Sequence, residues 1–434
     1  MKKRWLCAFI ALFFLVCSVP LTAMCLAGPA PAAANEIAAP KPKLIRRGTL
    51  NTAFLSELSA YASRGFRPRL WCITAWDAVC ARLFGASEND DVVLGRDGWL
   101  FYFTAADDRA GAGLLPEAEI WRCARNVYLM QEYAESQGAR FLFVMPNAKY
   151  DLYPQYTRDY VRVAEGRNVD ALQARLAEMG VAYCDMYALF SAQDEVLYWH
   201  TDSHWNGRGA ALAADGILTS LGREGGWFDG EFTAAPEHRG DLYEMLYPAG
   251  TYREPDYAPA AGFTFTYESR FTSVNDMEIE TRCDDGEGTL LMYRDSFGRS
   301  LYPYLAERFE TAAFSRENSY DLVRIGALGA TDAVVELGQR NVRYLIEYTA
   351  VFPAPERPAA ALDGAAALPG PLRTQEAPES LPGYVLVSGG TDGTAAPVYI
   401  RAGGRVYEAS HTADGFAAYL PAEDAGDAAA FLGA

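Results

Sequence analysis

The sequence predicts a three-layer α/β protein, in which helices cover both faces of a central parallel sheet, followed by a small C-terminal antiparallel β-module. Continuous apolar runs, such as 139–146 and 288–293, are typical of parallel strands that are buried on both faces. Stretches with apolar residues at helical spacing alternate with these runs, which indicates βαβ units. Alternating apolar and polar residues over 383–434 predict the β-module.

Length and local composition divide the chain into segments. A chain of 434 residues is too long for one ordinary compact domain. A basic and apolar beginning stands out, as does a stretch rich in proline and alanine near the end. The expected segments are a signal peptide or membrane anchor at 1–34, a helical lead-in at 35–90, the α/β domain at 91–350 with an insertion at about 227–287, a Pro/Ala-rich linker at 351–382, and the β-module at 383–434.

The N-terminus predicts the compartment. A basic start, "MKKR", precedes the apolar run 5–27, and small residues follow in "GPAPAAANE". This pattern is typical of a secretory signal, with cleavage near Ala34. The apolar run is also long enough, at about 20 residues, to span a bilayer uncleaved. Both alternatives stay open, and both put the body of the protein outside the cytoplasm, secreted or anchored to the outer side of the cytoplasmic membrane.

The elements before and within the α/β domain follow from local patterns. Apolar residues recur at helical spacing from 51 to 84, and Pro68 divides this stretch into two helices. Residues 91–102, "DVVLGRDGWLFY", predict two strands around an Asp-Gly turn. The later helices are expected at 116–137, 165–179, 207–222 and 296–309, and the strands at 139–146, 181–187, 288–293 and 333–338.

Charge and cysteine usage exclude several classes of function. The formal net charge is −18, and a surface this acidic repels nucleic acid and anionic lipid headgroups. Nucleic acid is therefore not an expected partner. The cysteines beyond the signal are odd in number and scattered, which argues against a disulfide framework or a zinc site. They are Cys72, Cys80, Cys123, Cys184 and Cys283.

Polar residues follow three of the predicted strands. In open parallel sheets, ligands bind beyond the carboxyl ends of the strands. "MPNAKYDLYP" follows the strand at 139–146, "RDSFGRS" follows 288–293, and "ELGQRNVR" follows the start of the strand at 333–338. These stretches are expected to line a site at one edge of the sheet.

Ser296 in "RDSFGRS" is the candidate nucleophile. A serine at a strand-to-helix turn exposes its hydroxyl, and the first amides of the helix can stabilise an anion beside it. Serine needs a base at neutral pH, and His204 in "YWHTDSHWN" is the best candidate. Asp202 and His204 would lie on one side of an extended segment, where the carboxylate orients the imidazole. Asp295 is expected to cap the helix.

Each of these features has a structural alternative. A serine that opens a helix is usually only a cap. An Asp-x-His flanked by tryptophans is often structural. A metal site on His200, Asp202 and His204 is conceivable, but it needs the two histidines one helical turn apart, whereas the segment is expected to be extended. No metal and no cofactor is therefore expected.

Lysine is rare in this chain. Of 38 basic residues five are lysine, and Lys149 is the only one after residue 43. Either chance explains this usage, or the position requires a compact ammonium group rather than a planar guanidinium.

Together, four motifs resemble the SGNH-hydrolase-like acyltransferases of bacterial surface polysaccharides, typified by the alginate O-acetylation proteins and the related Asp-His-His-Trp group. The motifs are "VVLGRDGWLFY", "FLFVMPNAKYDLYP", "TDSHWN" and "YRDSFG", in family order, and the resemblance covers roughly residues 50–350. In this family the Asp-x-His precedes the serine, as it does here.

The resemblance implies an SGNH-like fold and a role for each motif residue. Asp202 would be the orienting acid, His204 the base and Ser296 the nucleophile that accepts the acyl group. Two residues depart from the family pattern: Arg294 replaces a glycine, which bears on the shape of the oxyanion hole, and Ser203 separates the Asp and His. The candidates for binding substrate or the oxyanion are Asn147, Lys149, Tyr153, Arg294, Glu336 and Arg340.

Three functions remain open at this point. The first is an extracytoplasmic O-acyltransferase that transfers an acetyl group to a surface or wall polysaccharide, the acyl group being supplied through a membrane-bound O-acyltransferase. The second is a carbohydrate esterase that uses the same triad, with water in place of the sugar. The third is a non-catalytic glycan-binding or scaffold protein, since aromatic side chains stack on sugars.

Overall fold

The computed structural model describes residues 2–30, 38–103, 111, 113–158 and 166–433. The expected cleavage site near Ala34 lies outside these residues. The chain begins with helix α1 (Lys2–Ala27). Within it, Lys3–Met24 is long and apolar enough to cross a membrane, with a mean hydropathy of 2.4, and it is not buried against the rest of the protein. A signal sequence has the same features, so both alternatives for the N-terminus stand.

The lead-in segment holds two helices, as the sequence predicts. A two-residue hairpin, β1 (Ile45–Arg46) and β2 (Thr49–Leu50), precedes α2 (Phe54–Gly65) and α3 (Arg69–Leu83). Pro68 stands between the two helices at the N-cap of α3.

A hairpin then leads into the α/β domain. Its strands are β3 (Val92–Leu94) and β4 (Leu100–Tyr102), which pair antiparallel. Asp97 and Gly98 both have positive φ, as the predicted Asp-Gly turn requires.

The α/β class is confirmed, but the central sheet is mixed rather than parallel. Its seven strands lie in the order β6-β5-β13-β11-β12-β10-β9. The first five are parallel to one another, whereas β10 pairs antiparallel with both β12 and the edge strand β9. The strands are β5 (Arg140–Val144), β6 (Tyr183–Cys184), β9 (Thr266–Tyr267), β10 (Glu278–Arg282), β11 (Thr289–Tyr293), β12 (Thr311–Ser315) and β13 (Asp332–Glu336).

The last two strands of the sheet come from the predicted insertion at 227–287. Strands β9 and β10 lie in this stretch and extend the sheet beside β12. Sequence patterns also did not predict β12, because its central residues Ala312, Ala313 and Phe314 form too short an apolar run to stand out. The rest of the insertion includes the hairpin β7 (Phe232–His238) and β8 (Glu254–Pro259).

Alternate residues of the parallel strands enter two separate hydrophobic cores. Phe143 and Val335 pack on one face, whereas Val144 and Val334 pack on the other. Helices therefore cover both faces, which makes three layers. They are α4 (Glu117–Ser136), α5 (Lys149–Leu152), α6 (Asn168–Glu178), α7 (Met186–Ser191), α8 (Gly207–Ser220), α9 (Asp241–Leu246), α10 (Gly298–Ala306), α11 (Arg324–Leu328) and α12 (Tyr344–Glu347).

The C-terminal part forms a second, antiparallel sheet of eight strands. Residues 351–382, predicted as a linker, contribute three of its strands, because their short polar segments pair with strands further along the chain. The division of the chain into domains stays a prediction. The strands are β14 (Glu356–Arg357), β15 (Ala366–Ala367), β16 (Arg373–Glu376), β17 (Tyr384–Gly390), β18 (Val398–Ala402), β19 (Arg405–Thr412), β20 (Gly415–Pro421) and β21 (Ala429–Leu432).

Helix α4 joins the two sheets through polar contacts. Arg125 makes a bidentate pair with the buried carboxylate of Glu408, at 2.7 and 2.9 Å. Asn126 donates to the backbone oxygen of His411 at 2.8 Å and accepts from its backbone N–H at 2.7 Å. These contacts attach the C-terminal sheet firmly to the α/β domain, because Asn126, Glu408 and His411 are buried and hydrogen-bonded and Arg125 is partly buried.

His411 makes this junction sensitive to acid. Burial, together with the charges of Arg122 and Arg125, lowers the pKa of His411 to about 3. The unfolded chain therefore binds a proton below about pH 6.5 that the folded chain excludes, and stability falls as the pH falls through this range. We expect the ring to account for a loss of about 2 kcal/mol in unfolding free energy between pH 7 and 5.

The matched variant for this prediction is His411→Phe. Both ring nitrogens lack a hydrogen-bond partner among the described residues, and the ring meets Trp121 edge to face at 5.4 Å, so phenylalanine suits the site. Urea denaturation at both pH values should show a smaller acid destabilisation in the variant. Equal acid destabilisation in the two proteins would contradict the prediction.

Candidate functional site

Ser296 lies at the carboxyl edge of the central sheet, in the turn between β11 and α10. Asp295 shapes this turn: its Oδ1 accepts the N–H of Phe297 at 2.8 Å, and its Oδ2 accepts the N–H of Gly338 at 2.9 Å. The second bond ties the turn after β11 to the turn after β13. The expectation that Asp295 caps the helix is wrong, because α10 begins at Gly298 with Phe297 at its N-cap and no side-chain cap.

Three predicted residues form one hydrogen-bonded chain. The Nδ1 of His204 lies 2.6 Å from Oδ1 of Asp202, and its Nε2 lies 2.8 Å from Oγ of Ser296. Asp202 and His204 are both buried, at 3% and 7% exposure. Contacts of this length put the imidazole between a carboxylate that orients it and a hydroxyl whose proton it can accept.

The segment that carries Asp202 and His204 is a loop of turns, not the extended segment expected from its sequence. A single bridge between Tyr198 and Trp205 closes the loop. Within it, Oδ1 of Asp202 also accepts the backbone N–H of His204 at 2.9 Å. This local bond brings the carboxylate against the imidazole, since aspartate readily accepts the N–H two residues on.

Lys149 and Glu254 both hold the backbone of this loop. The ammonium of Lys149 donates to the backbone oxygens of Trp199 at 3.0 Å, of His200 at 2.9 Å, and of Asp202. The carboxylate of Glu254 accepts the N–H of His200 at 2.7 Å and that of Thr201 at 2.8 Å. Burial lowers the pKa of Lys149 to about 8, against the opposing effect of the nearby carboxylates.

An open cleft of about 670 Å³ adjoins Ser296. Arg294, Arg316 and Arg340 all line it, so this part of a strongly acidic protein is basic. Arg294 is buried, its Nε and Nη1 lack hydrogen-bond partners among the described residues, and burial with the charge of Arg316 lowers its pKa to about 10. The other lining residues are Tyr102, Met277, Asp295, Ser296, Asn318, Asn341 and Tyr344.

Residues 92–276 match the family model of the SGNH hydrolase-like domain of the acetyltransferase AlgX. The matched residues include the Asp-His loop and end before Ser296, which the tertiary structure brings to the loop. No curated protein has a significant sequence match to the chain.

Several solved structures resemble the chain at low identity. The O-acetyltransferase domain of Pseudomonas putida AlgJ is 17% identical with a TM-score of 0.41, over 58% of this chain and 91% of that one. Bacillus cereus PatB1 is 17% identical with a TM-score of 0.44, over 58% and 96%. A DHHW family protein of Eubacterium siraeum is 15% identical with a TM-score of 0.40, over 53% and 90%.

The other predicted site residues have different places in the structure. Arg294 and Arg340 line the cleft. Lys149 is behind the loop, with its ammonium bound to backbone oxygens. Tyr153 also supports the loop, because its hydroxyl accepts the N–H of Leu197 at 2.8 Å.

Asn147 and Glu336 lie at the ends of neighbouring strands. The backbone oxygen of Asn147 accepts from the hydroxyl of Tyr198 at 2.8 Å. Glu336 is buried and accepts the backbone N–H of Asp295 at 3.0 Å. Burial and the charge of Asp295 raise the pKa of Glu336 well above its ordinary value, which favours the neutral acid. Glu336 therefore supports the turn that carries Ser296, whereas Asn147 supports the loop that carries Asp202 and His204.

Sequence analysis missed two residues that contact Asp202. His238 approaches its Oδ2 with Nε2 at 2.7 Å, and the backbone N–H of Asp241 donates to the same oxygen at 2.9 Å. Both lie in the insertion, more than 30 residues away, where no motif draws attention to them. The available signal was that His238 is one of only four histidines in the chain.

One group of side chains has suitable atoms for a metal, although no metal was expected. Ligand atoms of Asp202, His204 and Asp241 lie within 4.8 Å of one another. Each of these atoms already has a hydrogen-bond partner inside the site, such as Oγ of Ser203 for the carboxylate of Asp241. His200, part of the conceivable metal site, instead stacks on Trp99 at 4.6 Å.

Proposed function

We propose that the chain is an extracytoplasmic serine O-acyltransferase that transfers an acetyl group to a hydroxyl of a cell-surface or wall polysaccharide. The single observation that carries the proposal is the hydrogen-bonded chain Asp202–His204–Ser296, inside a protein whose matched family is named for an acetyltransferase. The apolar N-terminal helix supports a location outside the cytoplasm, by secretion or anchoring.

In the first half-reaction, the acetyl group is transferred from the donor to Ser296. Nε2 of His204 takes the proton of the Ser296 hydroxyl while Oγ attacks the carbonyl carbon of the acyl donor. The tetrahedral intermediate collapses, the bond to the leaving oxygen breaks, and His204 returns the proton to that oxygen. Asp202 stabilises the imidazolium that exists between these steps. Burial acts to raise the pKa of Asp202, but the charges and hydrogen bonds of His204 and His238 hold it well below its ordinary value.

In the second half-reaction, the acetyl group is transferred from Ser296 to the sugar. A sugar hydroxyl in the cleft gives its proton to Nε2 of His204 and attacks the acyl-enzyme carbonyl. The bond to Oγ then breaks, and Ser296 recovers the proton. In a hydrolase, water would make the same attack, so occupancy of the cleft by the acceptor decides between transfer and hydrolysis. We propose that the acyl donor is supplied through a membrane-bound O-acyltransferase, for which an N-terminal anchor is well suited.

The test uses the full-length chain in detergent with p-nitrophenyl acetate as donor. Intact-mass spectrometry should detect one acetyl group on Ser296, lost in both Ser296→Ala and His204→Ala. Adding candidate oligosaccharides should then yield acetylated sugar rather than free acetate. Free acetate alone would favour the esterase. A folded protein that neither acquires a label nor turns over the ester would overturn the proposal in favour of a binding or scaffold role.

The arginine-lined cleft predicts a preference among acceptors. Arginine donates paired hydrogen bonds to carboxylates and sugar oxygens. We expect Arg316→Gln to raise KM about tenfold for an oligosaccharide that bears carboxylates, and less for a neutral one. Arg282→Gln is the matched control, because Arg282 is an exposed residue at the end of β10 that pairs with Glu310 and does not line the cleft. An equal rise in KM for both acceptors would contradict this prediction.

A further inference from the structure

A second histidine contacts the carboxylate oxygen of Asp202 that does not face His204. Oδ1 of Asp202 serves His204, whereas Oδ2 accepts from Nε2 of His238 at 2.7 Å. The carboxylate thus lies between two imidazoles. No hydrogen bond joins His238 to Ser296 among the described residues. A role of His238 in the proposed reaction must therefore act through Asp202.

The position of His238 is well defined. It is the last residue of β7, and its ring stacks on Trp199 with 3.7 Å between centroids and 17° between planes. The side chain is 29% exposed, which lets the ring exchange protons with solvent. The ring is therefore held in one orientation while it stays accessible to solvent.

Acidic groups face His238 from three elements. Burial of the ring lowers its pKa, but the hydrogen bond and charge of Asp202 outweigh burial and raise the pKa above its ordinary value. The remaining charged groups are Asp241 on α9, Asp256 and the ladder partner Glu254 on β8, Lys149 on the far side of the Asp202 loop, and Arg239 next along the chain.

We propose that His238 is a positioning residue, which holds Asp202 through Oδ2 and adjusts the proton affinity of His204 through its own charge. The proposal deepens the function proposed above and rests on it for its effect on catalysis. A neutral imidazole and an imidazolium can both donate from Nε2, so the hydrogen bond persists while the charge changes.

The charge of His238 affects the protonation of His204 in a definite direction. When His238 is protonated, its positive charge offsets that of Asp202, and His204 becomes harder to protonate. When His238 is neutral, Asp202 acts on His204 with its full charge, and the imidazolium of the transition state is better stabilised. The charge state of His238 therefore sets the pH range over which His204 can act as a base.

The small number of histidines makes a direct test feasible. Histidine labelled with ¹³C at Cε1 gives four ring signals in the full-length chain, which single substitutions assign. In His238→Gln the amide keeps a donor near Oδ2 but carries no charge. We expect the titration midpoint of His204 to rise by about one pH unit in this variant. His200→Gln is the matched control and should leave the midpoint in place.

Kinetics supply the second measurement. The acid limb of kcat/KM for acyl transfer should move to higher pH in His238→Gln, whereas His238→Leu should lower kcat about tenfold with KM unchanged. An unchanged His204 midpoint and pH profile in His238→Gln would overturn the proposal, even if His238→Leu fails to fold.

The two proposals fail in different ways. If the wild-type chain forms no acyl-Ser296 but the titration midpoint of His204 rises in His238→Gln, the coupling between the two histidines stands and the proposed function is wrong. If Ser296 is acylated and the titration midpoint of His204 is unchanged in His238→Gln, the proposed function stands and His238 has only a structural role.

Discussion

Replacing Ser296 with alanine is expected to lower kcat/KM for acyl transfer by about 10³- to 10⁶-fold. Loss of Oγ removes the atom that forms the acyl bond, and no other hydroxyl among the described residues has the same contact with Nε2 of His204. His204→Ala should cost a similar factor, and the double variant little more, because the two residues act as a unit. Stopped-flow measurement of acylation and steady-state transfer would give these values.

Ser300→Ala is the matched control for this prediction. Ser300 lies four residues further on, in α10, and its Oγ accepts from the indole of Trp205 at 2.9 Å instead of contacting a base. It should keep transfer within about threefold of wild type and lose about 1 kcal/mol of stability. An active Ser296→Ala protein would mean that another nucleophile carries the acyl group.

Replacing Lys149 with methionine is expected to lower the unfolding free energy by about 3–5 kcal/mol and to lower kcat. The change leaves the buried backbone oxygens of Trp199 and Asp202 without a donor among the described residues, whereas that of His200 keeps the N–H of Leu100. It also removes a cation near the buried carboxylate of Glu254. Lys149→Arg should also destabilise, because the three oxygens converge on a single nitrogen and a planar guanidinium cannot reproduce that arrangement. Urea denaturation measures both effects.

Lys43→Met, at an exposed position, is the control and should change stability by less than about 0.5 kcal/mol. A double-mutant cycle with Glu254→Gln should be non-additive, since both side chains hold the same loop. A loss below about 1 kcal/mol in Lys149→Met would show that the loop keeps its shape without the ammonium, and that the rare lysine is a matter of chance.

The sequence by itself determined the α/β class and the approximate bounds of the strands that carry the site. Strong, continuous apolar runs such as β5 and β11 have few alternatives, because only a buried strand satisfies both their length and their hydrophobicity. It also predicted which side chains would meet: Asp202, His204 and Ser296, from residue types and their order along the chain. Their catalytic roles stay a proposal.

Tertiary structure alone decided the remaining features. The antiparallel edge of the sheet depends on strands of two to five residues, whose own patterns are too short to indicate pairing. Three features join residues that are far apart in the chain. They are the hydrogen bond between His238 and Asp202, the hydrogen bonds from the Asp-His loop to Glu254, and the basic cleft beside Ser296. Local sequence encodes the period of an element and the chemistry of its side chains, whereas contacts at such separations follow from how the elements pack.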